Sequence, residues 1–229
     1  MFFVMATKRN CFGYTNVLPI PGIIRLNLGM ERVSMKRTSL LFTAALAGLF
    51  FAASSFSQGL SIGSAMEDFT LSDTNGANHS LADLKGKNGA VVVFLSAQCP
   101  VVRGYVSRLN ELAAEYQAKG INFIGINSNA TEDLNWVKSN VTEYGYKFPV
   151  LIDKGAVLAD KLGATVTPEA YYIDAKNVLL YHGAIDNDRS GRNVTDMYLK
   201  TAFDASLTGK KITRTSANAF GCSIRKTAD

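Results

Sequence analysis

The stretch that decides the fold is residues 90–105, AVVVFLSAQCPVVRGY. Its first half is a run of β-branched and aromatic residues, which is typical of a buried strand. Pro100 then suits the first position of a helix, where its missing N–H costs nothing. Apolar residues recur after it at helical spacing: Val102, Val106, Leu109, Leu112, Ala113 and Tyr116. The sequence therefore predicts a buried strand that delivers Cys99 to the start of an amphipathic helix.

This position favours sulfur chemistry at Cys99. The unpaired N–H groups and the positive end of the helix dipole stabilise a thiolate, and they can lower the thiol pKa below its free value of about 8.5. The alternative is that Cys99 is a small buried hydrophobe, as most free cysteines are. Because strand, Cys-Pro and amphipathic helix coincide here, we interpret Cys99 as a nucleophile.

The chain begins with a segment that has the parts of a leader. Met35, Lys36 and Arg37 precede an apolar run over 38–53 and small residues up to position 57, which predicts a secretory signal peptide over 35–57. A membrane span is the alternative, although the run is slightly short of the roughly 20 residues required. Residues 1–34 show no sustained period, so we interpret them as an upstream extension in an over-long gene assignment. The sequence thus predicts an exported protein, in the bacterial periplasm.

Charge and cysteine content limit the function classes. The chain has 24 basic and 19 acidic residues, but the first 57 residues hold six basic and one acidic residue, which leaves 18 of each in the rest. The basic excess belongs to the leader, so no nucleic-acid partner is expected. After the leader, two histidines and two distant cysteines remain, with no metal-ligand spacing. We expect no metal and no other cofactor in this domain of about 170 residues.

The remaining elements follow from turn and period signals. Asn75-Gly76 between short alternating segments predicts an N-terminal β-hairpin. Further predictions are a strand over 121–127, a helix capped by Thr131 with Trp136 in the core, a strand over 148–153, a short helix over 156–163, an antiparallel pair after Pro168, and a last helix over 193–207.

This order of elements resembles the thioredoxin-like superfamily. Residues 69–71 and 81–87 resemble its redoxin branch, which includes the alkyl hydroperoxide reductase/thiol-specific antioxidant (AhpC/TSA) proteins and periplasmic thiol-disulfide reductases. The nearest likeness is to peroxiredoxin-like proteins with a Cys-Pro-x-Val site and a carboxy-terminal Gly-Cys-Ser-Ile element, here 99–102 and 221–224. The resemblance implies an α/β protein with a central mixed β-sheet flanked by helices over 62–209, and a tail over 210–229 that carries Cys222.

The resemblance also implies a set of site residues. Thr167 and Pro168 match the cis-proline turn that touches the reactive cysteine in this fold, and Ser96 supplies a hydroxyl three residues before the thiol. A peroxiredoxin site has an arginine near the thiol, but Glu169 rather than an arginine follows Pro168 here. Arg103 is a weak substitute for that arginine.

A second thiol is missing from the usual place. Val102 stands where a Cys-x-x-Cys motif has its second cysteine, so Cys222 becomes the candidate resolving thiol, in a polar tail suited to mobility or to draping over the surface. A structural disulfide or a free tail cysteine is the alternative for Cys222.

Three functions are compatible with these features. The leading hypothesis is a thiol-dependent antioxidant or peroxidase in which Cys99 attacks peroxide, becomes a sulfenic acid and is resolved by Cys222. The second is a thiol-disulfide oxidoreductase that exchanges disulfides with protein partners and is recycled by an external, thioredoxin-like thiol reductant. The third is a redox-inactive binding module, since fold alone does not license function. The sequence predicts no oligomeric state.

Overall fold

The computed structural model describes residues 59–226. The upstream extension predicted over 1–34 and the signal peptide predicted over 35–57 lie outside these residues. Across positions 59–226, no helix has the length and apolar character needed to cross a bilayer.

The elements alternate between strands and helices. In chain order they are β1 (Thr70–Asp73), β2 (Asn78–Ser80), α1 (Leu81–Leu84), β3 (Gly89–Leu95), α2 (Pro100–Gln117), β4 (Ile121–Asn127), α3 (Leu134–Tyr144), β5 (Val150–Ile152), α4 (Val157–Leu162), β6 (Val166–Thr167), β7 (Glu169–Ile173), β8 (Leu179–Gly183), α5 (Tyr198–Leu207), β9 (Ser216–Ala217) and β10 (Cys222–Ser223). A 3₁₀ turn over Lys154–Ala156 precedes α4.

The predicted N-terminal hairpin is confirmed. Strands β1 and β2 pair antiparallel, and Gly76 in the turn has a φ of +89°, which an L side chain rarely adopts. The Asp73 carboxylate accepts hydrogen bonds from the N–H groups of Asn75 at 2.8 Å and Ala77 at 3.0 Å. The turn is therefore closed by its own side chain as well as by glycine.

The sheet has eight strands in the order β2-β1-β5-β4-β3-β7-β8-β9. Strand β3 pairs parallel with β4 and antiparallel with β7, so the sheet is mixed, as the sequence predicted. All seven residues of β3 are buried. This explains the continuous apolar run, because a strand with helices on both faces has no solvent side.

Two cores lie on opposite faces of this sheet. Val93 packs in one core with Tyr105 of α2 and Phe203 of α5. Phe94 packs in the other core with Leu162 of α4. Full burial of such a side chain contributes about 1.5–3 kcal/mol to the free energy of unfolding. Because β3 has side chains in both cores, it stabilises the packing of both helical layers on the sheet.

The predicted last helix is too long at its start. The sequence indicated 193–207, whereas α5 begins at Tyr198. The side-chain oxygen of Asn187 accepts hydrogen bonds from the N–H groups of Thr195 at 3.0 Å and Asp196 at 3.1 Å. Those contacts hold the segment as a loop. The helical spacing of apolar residues, from which the longer helix was predicted, does not reveal them.

Two predictions for α3 are wrong. Trp136 was expected in the core but is 45% exposed, because Val137 and Asn140 form the inward face of the helix. Asp133, rather than Thr131, caps the helix, and its carboxylate accepts a hydrogen bond from the Trp136 N–H at 2.9 Å. As a result, Glu132 lies outside the helix and its side chain can reach the start of α2.

Candidate functional site

Cys99 lies at the junction of β3 and α2. It is the N-cap residue of an 18-residue helix, with Pro100 in the first turn, as the sequence predicted. The side chain is only 2% exposed. Its thiol donates a hydrogen bond to the carbonyl oxygen of Thr167, with a sulfur–oxygen distance of 3.3 Å. The nucleophile predicted from the sequence is thus a buried thiol that faces the loop between β6 and β7.

The loop opposite Cys99 contains the predicted proline. The Thr167–Pro168 peptide bond is cis, which confirms the conformation expected from the resemblance. Thr167 is 1% exposed and forms the end of β6. The turn therefore presents its carbonyl oxygen directly to the Cys99 sulfur.

The C-terminal tail brings the second cysteine to the same place. Strand β10 pairs antiparallel with β6, and Cys222 lies opposite Thr167 in this register. The Thr167 hydroxyl donates to the Cys222 carbonyl oxygen at 3.4 Å. Cys222 packs against the core that contains Cys99, and both thiols are free rather than joined. Two residues 123 positions apart are brought together because the tail lies across the proline loop.

The two thiols differ in acidity. Burial works to raise the pKa of Cys99, but hydrogen bonds from the Cys222 thiol, the Val102 N–H, the Thr167 side chain and the Cys222 N–H outweigh it, and the net pKa lies below that of an ordinary cysteine thiol. Burial, followed by the hydrogen bond to Cys99 and its charge, raises the pKa of Cys222 to about 11. Cys99 is therefore the thiol that ionises first, and Cys222 is the one that keeps its proton.

A carboxylate organises the loop that precedes Cys99. Glu132 accepts hydrogen bonds from the Ser96 hydroxyl at 2.5 Å, the N–H groups of Ala97 at 2.8 Å and Gln98 at 3.1 Å, and the Asn127 side chain at 2.6 Å. Ser96 was predicted as a site residue, and its hydroxyl is directed to this carboxylate. The role of Ser96 in the structure is to help to fix the loop that carries the thiol.

Arg103 does not direct its guanidinium to the thiol pair. Its Nε donates to the Tyr144 hydroxyl at 2.9 Å, and this contact, more than any other, raises the pKa of the guanidinium. Of the six predicted site residues, Cys99, Cys222, Thr167 and Pro168 come together, whereas Ser96 and Arg103 contact residues beside the site.

Sequence reasoning missed two groups at this site. Glu132 follows β4, the parallel neighbour of β3, and the carboxyl ends of adjacent parallel strands meet at one edge of a sheet, so topology could have indicated it. The Tyr146 hydroxyl is buried and has no hydrogen-bond partner within residues 59–226. Burial raises its pKa most, and the charges of Tyr144, Glu132 and Cys99 add to this effect. No local pattern marks Tyr146.

In the part of the chain that the structure describes, no group of three or more His, Cys, Asp or Glu side chains is placed to share a metal ion. The chemistry that this arrangement can perform with its own groups is thiol–disulfide exchange between Cys99, Cys222 and an external sulfur.

Comparison with known proteins identifies the family. The profile of the AhpC/TSA family matches residues 62–182. The chain is 32% identical over 149 residues to the thiol-disulfide oxidoreductase ResA of Bacillus thuringiensis (strain Al Hakam), a match that covers 61% of this chain and 84% of that protein.

Solved structures share the fold. A hypothetical protein from Sinorhizobium meliloti 1021 matches with a TM-score of 0.68 and 35% identity, over 75% of this chain and 98% of that one. A Chlorobium tepidum protein provisionally named thiol:disulfide interchange protein DsbE matches with a TM-score of 0.56 and 21% identity, over 65% and 99%, which shows the fold alone. The chain therefore has a thioredoxin-like fold and belongs to the AhpC/TSA family.

Proposed function

We propose that this protein is a thiol-disulfide oxidoreductase that exchanges disulfides with protein partners through Cys99 and Cys222. The observation that carries the proposal is that β10 places Cys222 opposite Thr167, whose carbonyl oxygen accepts from the Cys99 thiol, with both thiols free. A disulfide requires Cα atoms about 4.4–6.8 Å apart, and Thr167, which contacts both residues, holds the tail beside Cys99. The tail supplies the second thiol that a Cys-x-x-Cys motif would hold at Val102.

The exchange takes two steps. The Cys99 thiolate attacks one sulfur of the partner's disulfide, a mixed disulfide forms, and the other partner sulfur leaves as a thiolate. Cys222 then loses its proton to a departing thiolate and attacks the Cys99 sulfur, which releases the second partner sulfur. Two electrons pass to the partner, two thiols form there, and the protein is left with a Cys99–Cys222 disulfide. An external dithiol of the thioredoxin type reverses this change.

The acidities of the two thiols suit this order. The nucleophile must be a thiolate, and Cys99 has the lowered pKa. Cys222, with a pKa of about 11, remains protonated near neutral pH until the mixed disulfide has formed. Once Cys99 is in a disulfide it carries no charge, so the contribution that its charge makes to raising the Cys222 pKa disappears.

Peroxide reduction was the leading hypothesis from the sequence, and the relatives favour the alternative. The match to proteins named thiol-disulfide oxidoreductase supports exchange. Arg103 was the proposed substitute for a peroxidase arginine, but its Nε donates a hydrogen bond to the Tyr144 hydroxyl instead of facing the thiol pair. We therefore propose a protein disulfide, rather than a peroxide, as the substrate.

Export is part of the proposal. The predicted signal peptide over 35–57 would place the protein in the periplasm, where disulfides form and persist. A thiol-disulfide oxidoreductase in such a compartment requires a dedicated source of reducing equivalents, which is why an external thiol reductant is proposed.

The test is turnover of a protein disulfide. Reduction of insulin by the purified protein, with dithiothreitol as reductant, should exceed the rate with dithiothreitol alone, and Cys99→Ser should remove the excess. A parallel assay measures hydrogen peroxide consumption with the same reductant. Rapid peroxide consumption without insulin reduction would overturn the proposal in favour of a peroxidase. If the protein shows neither activity, a redox-inactive binding module is favoured instead.

A further inference from the structure

The tail is anchored on both sides of Cys222. Before it, the Phe220 ring packs against Tyr105, with ring centroids 6.4 Å apart. After it, the Ile224 N–H donates to the Thr165 carbonyl at 2.9 Å, and the Ile224 side chain is 8% exposed. The Ala130 N–H donates to the Arg225 carbonyl at 2.8 Å. The tail thus lies on the surface, one of the two forms expected from its sequence, and these contacts hold it along the proline loop.

Between those anchors, the tail crosses the proline loop at Gly221. A Cβ built on Gly221 would overlap the carbonyl oxygen of Thr167 and would lie 2.7 Å from its carbonyl carbon and 3.3 Å from the Pro168 nitrogen. All three atoms are backbone, so no flexible side chain can move aside. Gly221 itself is exposed, which means that burial does not explain the absence of a side chain.

The atom that excludes a side chain belongs to the reactive site. The Thr167 carbonyl oxygen is also the acceptor for the Cys99 thiol, at 3.3 Å. A side chain at position 221 could be relieved only by lifting the tail or by displacing Thr167. The first movement takes Cys222 away from Cys99, and the second moves the group that Cys99 contacts.

We propose that Gly221 is a positioning residue for the second exchange step: without a Cβ, the tail crosses the Thr167 carbonyl closely enough to place the Cys222 thiol against the Cys99 sulfur. This inference rests on the proposed function, since it concerns the step in which Cys222 attacks Cys99. It adds a requirement to the presence of the two cysteines: the residue before Cys222 must lack a side chain. A tail with Cys222 intact but with a side chain before it should be a poor resolving arm.

The prediction separates the two steps. With oxidised glutathione as the probe, Cys99 attacks one glutathione sulfur and releases one glutathione, which leaves a mixed disulfide. Cys222 then attacks the Cys99 sulfur, forms the internal disulfide and releases the second glutathione. Gly221→Ala should slow the second step at least tenfold, while the first step still reaches completion. Gly221→Val should slow the second step further, because the overlap is larger.

The experiment is rapid acid quenching of the reduced protein after mixing with oxidised glutathione, followed by mass spectrometry of the mixed and internal disulfides. Asn218→Ala, an exposed change three residues earlier in the same tail, is the matched control and should behave as the wild type. Thermal unfolding of the reduced variants shows whether the body of the protein is intact.

The outcomes distinguish this inference from the proposed function. Accumulation of the mixed disulfide in Gly221→Ala, with rapid closure in the wild type and Asn218→Ala, supports the role of Gly221. If Gly221→Ala and Gly221→Val form the internal disulfide at rates within twofold of the wild type, that role is overturned and the proposed function still stands. If the wild type itself forms no internal disulfide, the proposed function fails, and the positioning role fails with it.

Discussion

The two cysteines of the site are held by different kinds of structure. Cys99 lies between a seven-residue strand buried on both faces and an 18-residue helix, and it is part of the core. Cys222 lies in a two-residue strand near the end of the chain and is only partly buried. The position of Cys99, the proposed nucleophile, therefore depends on the core of the fold, whereas the position of Cys222, the proposed resolving thiol, depends on the docking of a tail.

This difference suits the proposed exchange. Cys99 is 2% exposed with the tail docked, so a protein disulfide can reach its sulfur only after the structure around it opens. Segments with few buried contacts open at a lower free energy than the core does. A tail that undocks without unfolding β3 or α2 would give a partner access to Cys99 and then return Cys222 for the second step.

Removing each thiol in turn should have the largest effect, and it tests whether Cys99 and Cys222 have different roles. Cys99→Ser should abolish disulfide exchange to the uncatalysed level, because the attacking thiolate is lost. Cys222→Ser should still form a mixed disulfide with oxidised glutathione but should stop there. Mass spectrometry of the quenched products measures both. Equal residual exchange in the two variants would contradict the assignment of separate roles.

The pH dependence of alkylation should separate the two thiols, with Cys99 labelled at lower pH. The rate follows the thiolate fraction, so a lowered pKa moves the midpoint for Cys99 below that of an ordinary thiol, and a raised pKa moves that for Cys222 to about 11. Each pH unit is a tenfold change in the thiolate fraction below both midpoints. Iodoacetamide labelling of the reduced protein between pH 6 and 11, with site-resolved mass spectrometry, is the measurement.

The order of the two midpoints is the decisive result of this labelling. A Cys222 midpoint at or below the Cys99 midpoint would reverse their proposed roles. Cys222→Ala provides an internal check, because it removes the Cys222 thiol and with it one hydrogen bond that lowers the pKa of Cys99, so the Cys99 midpoint should rise.

Weakening the tail should affect Cys222 and leave the core unchanged. Ile224→Ala removes the side chain that buries the end of the tail, at a cost of about 2 kcal/mol, which lowers the equilibrium constant for docking by a factor of roughly 30. Closure of the internal disulfide should slow accordingly, and backbone amides near Cys222 should exchange hydrogen faster. Amides of β3 should keep their protection.

The control for the tail variant is Val157→Ala, which truncates a side chain of similar size that is already exposed. It should change neither closure nor exchange. If Ile224→Ala lowers protection in β3 as much as in the tail, the tail is part of the cooperative core, and the contrast between the two regions is wrong.

Glu132→Gln should have the smallest effect on the thiols. The Glu132 charge is one minor cause of the raised pKa of Cys222, so its removal should lower the Cys222 midpoint by less than about one pH unit. The amide cannot accept all four hydrogen bonds, so the free energy of unfolding should fall by about 1–3 kcal/mol. Glu143→Gln, an exposed change, is the control. An unchanged Cys222 midpoint would show that the carboxylate only holds the loop.

Much of the fold was predictable because its signals are local. The apolar run before Cys99, Pro100 at the first helical position and Asn75-Gly76 in the hairpin each specify an element within a few residues. The same locality explains the errors at Trp136 and at the start of α5, where the period alone did not show which face was inward or which side chain held the backbone in a loop.

The sequence by itself determined the buried strand, the helix start and the cysteine at its N-terminus, because backbone preference and hydrophobic period act over neighbouring residues. Only the tertiary structure decided that Cys222 meets Thr167, that Glu132 holds the loop before Cys99, and that Gly221 crosses a carbonyl where no side chain fits. These contacts join residues from 35 to 55 positions apart. They exist because the sheet brings separate strand ends together and the tail docks on the surface so formed, and no periodic pattern encodes such a surface.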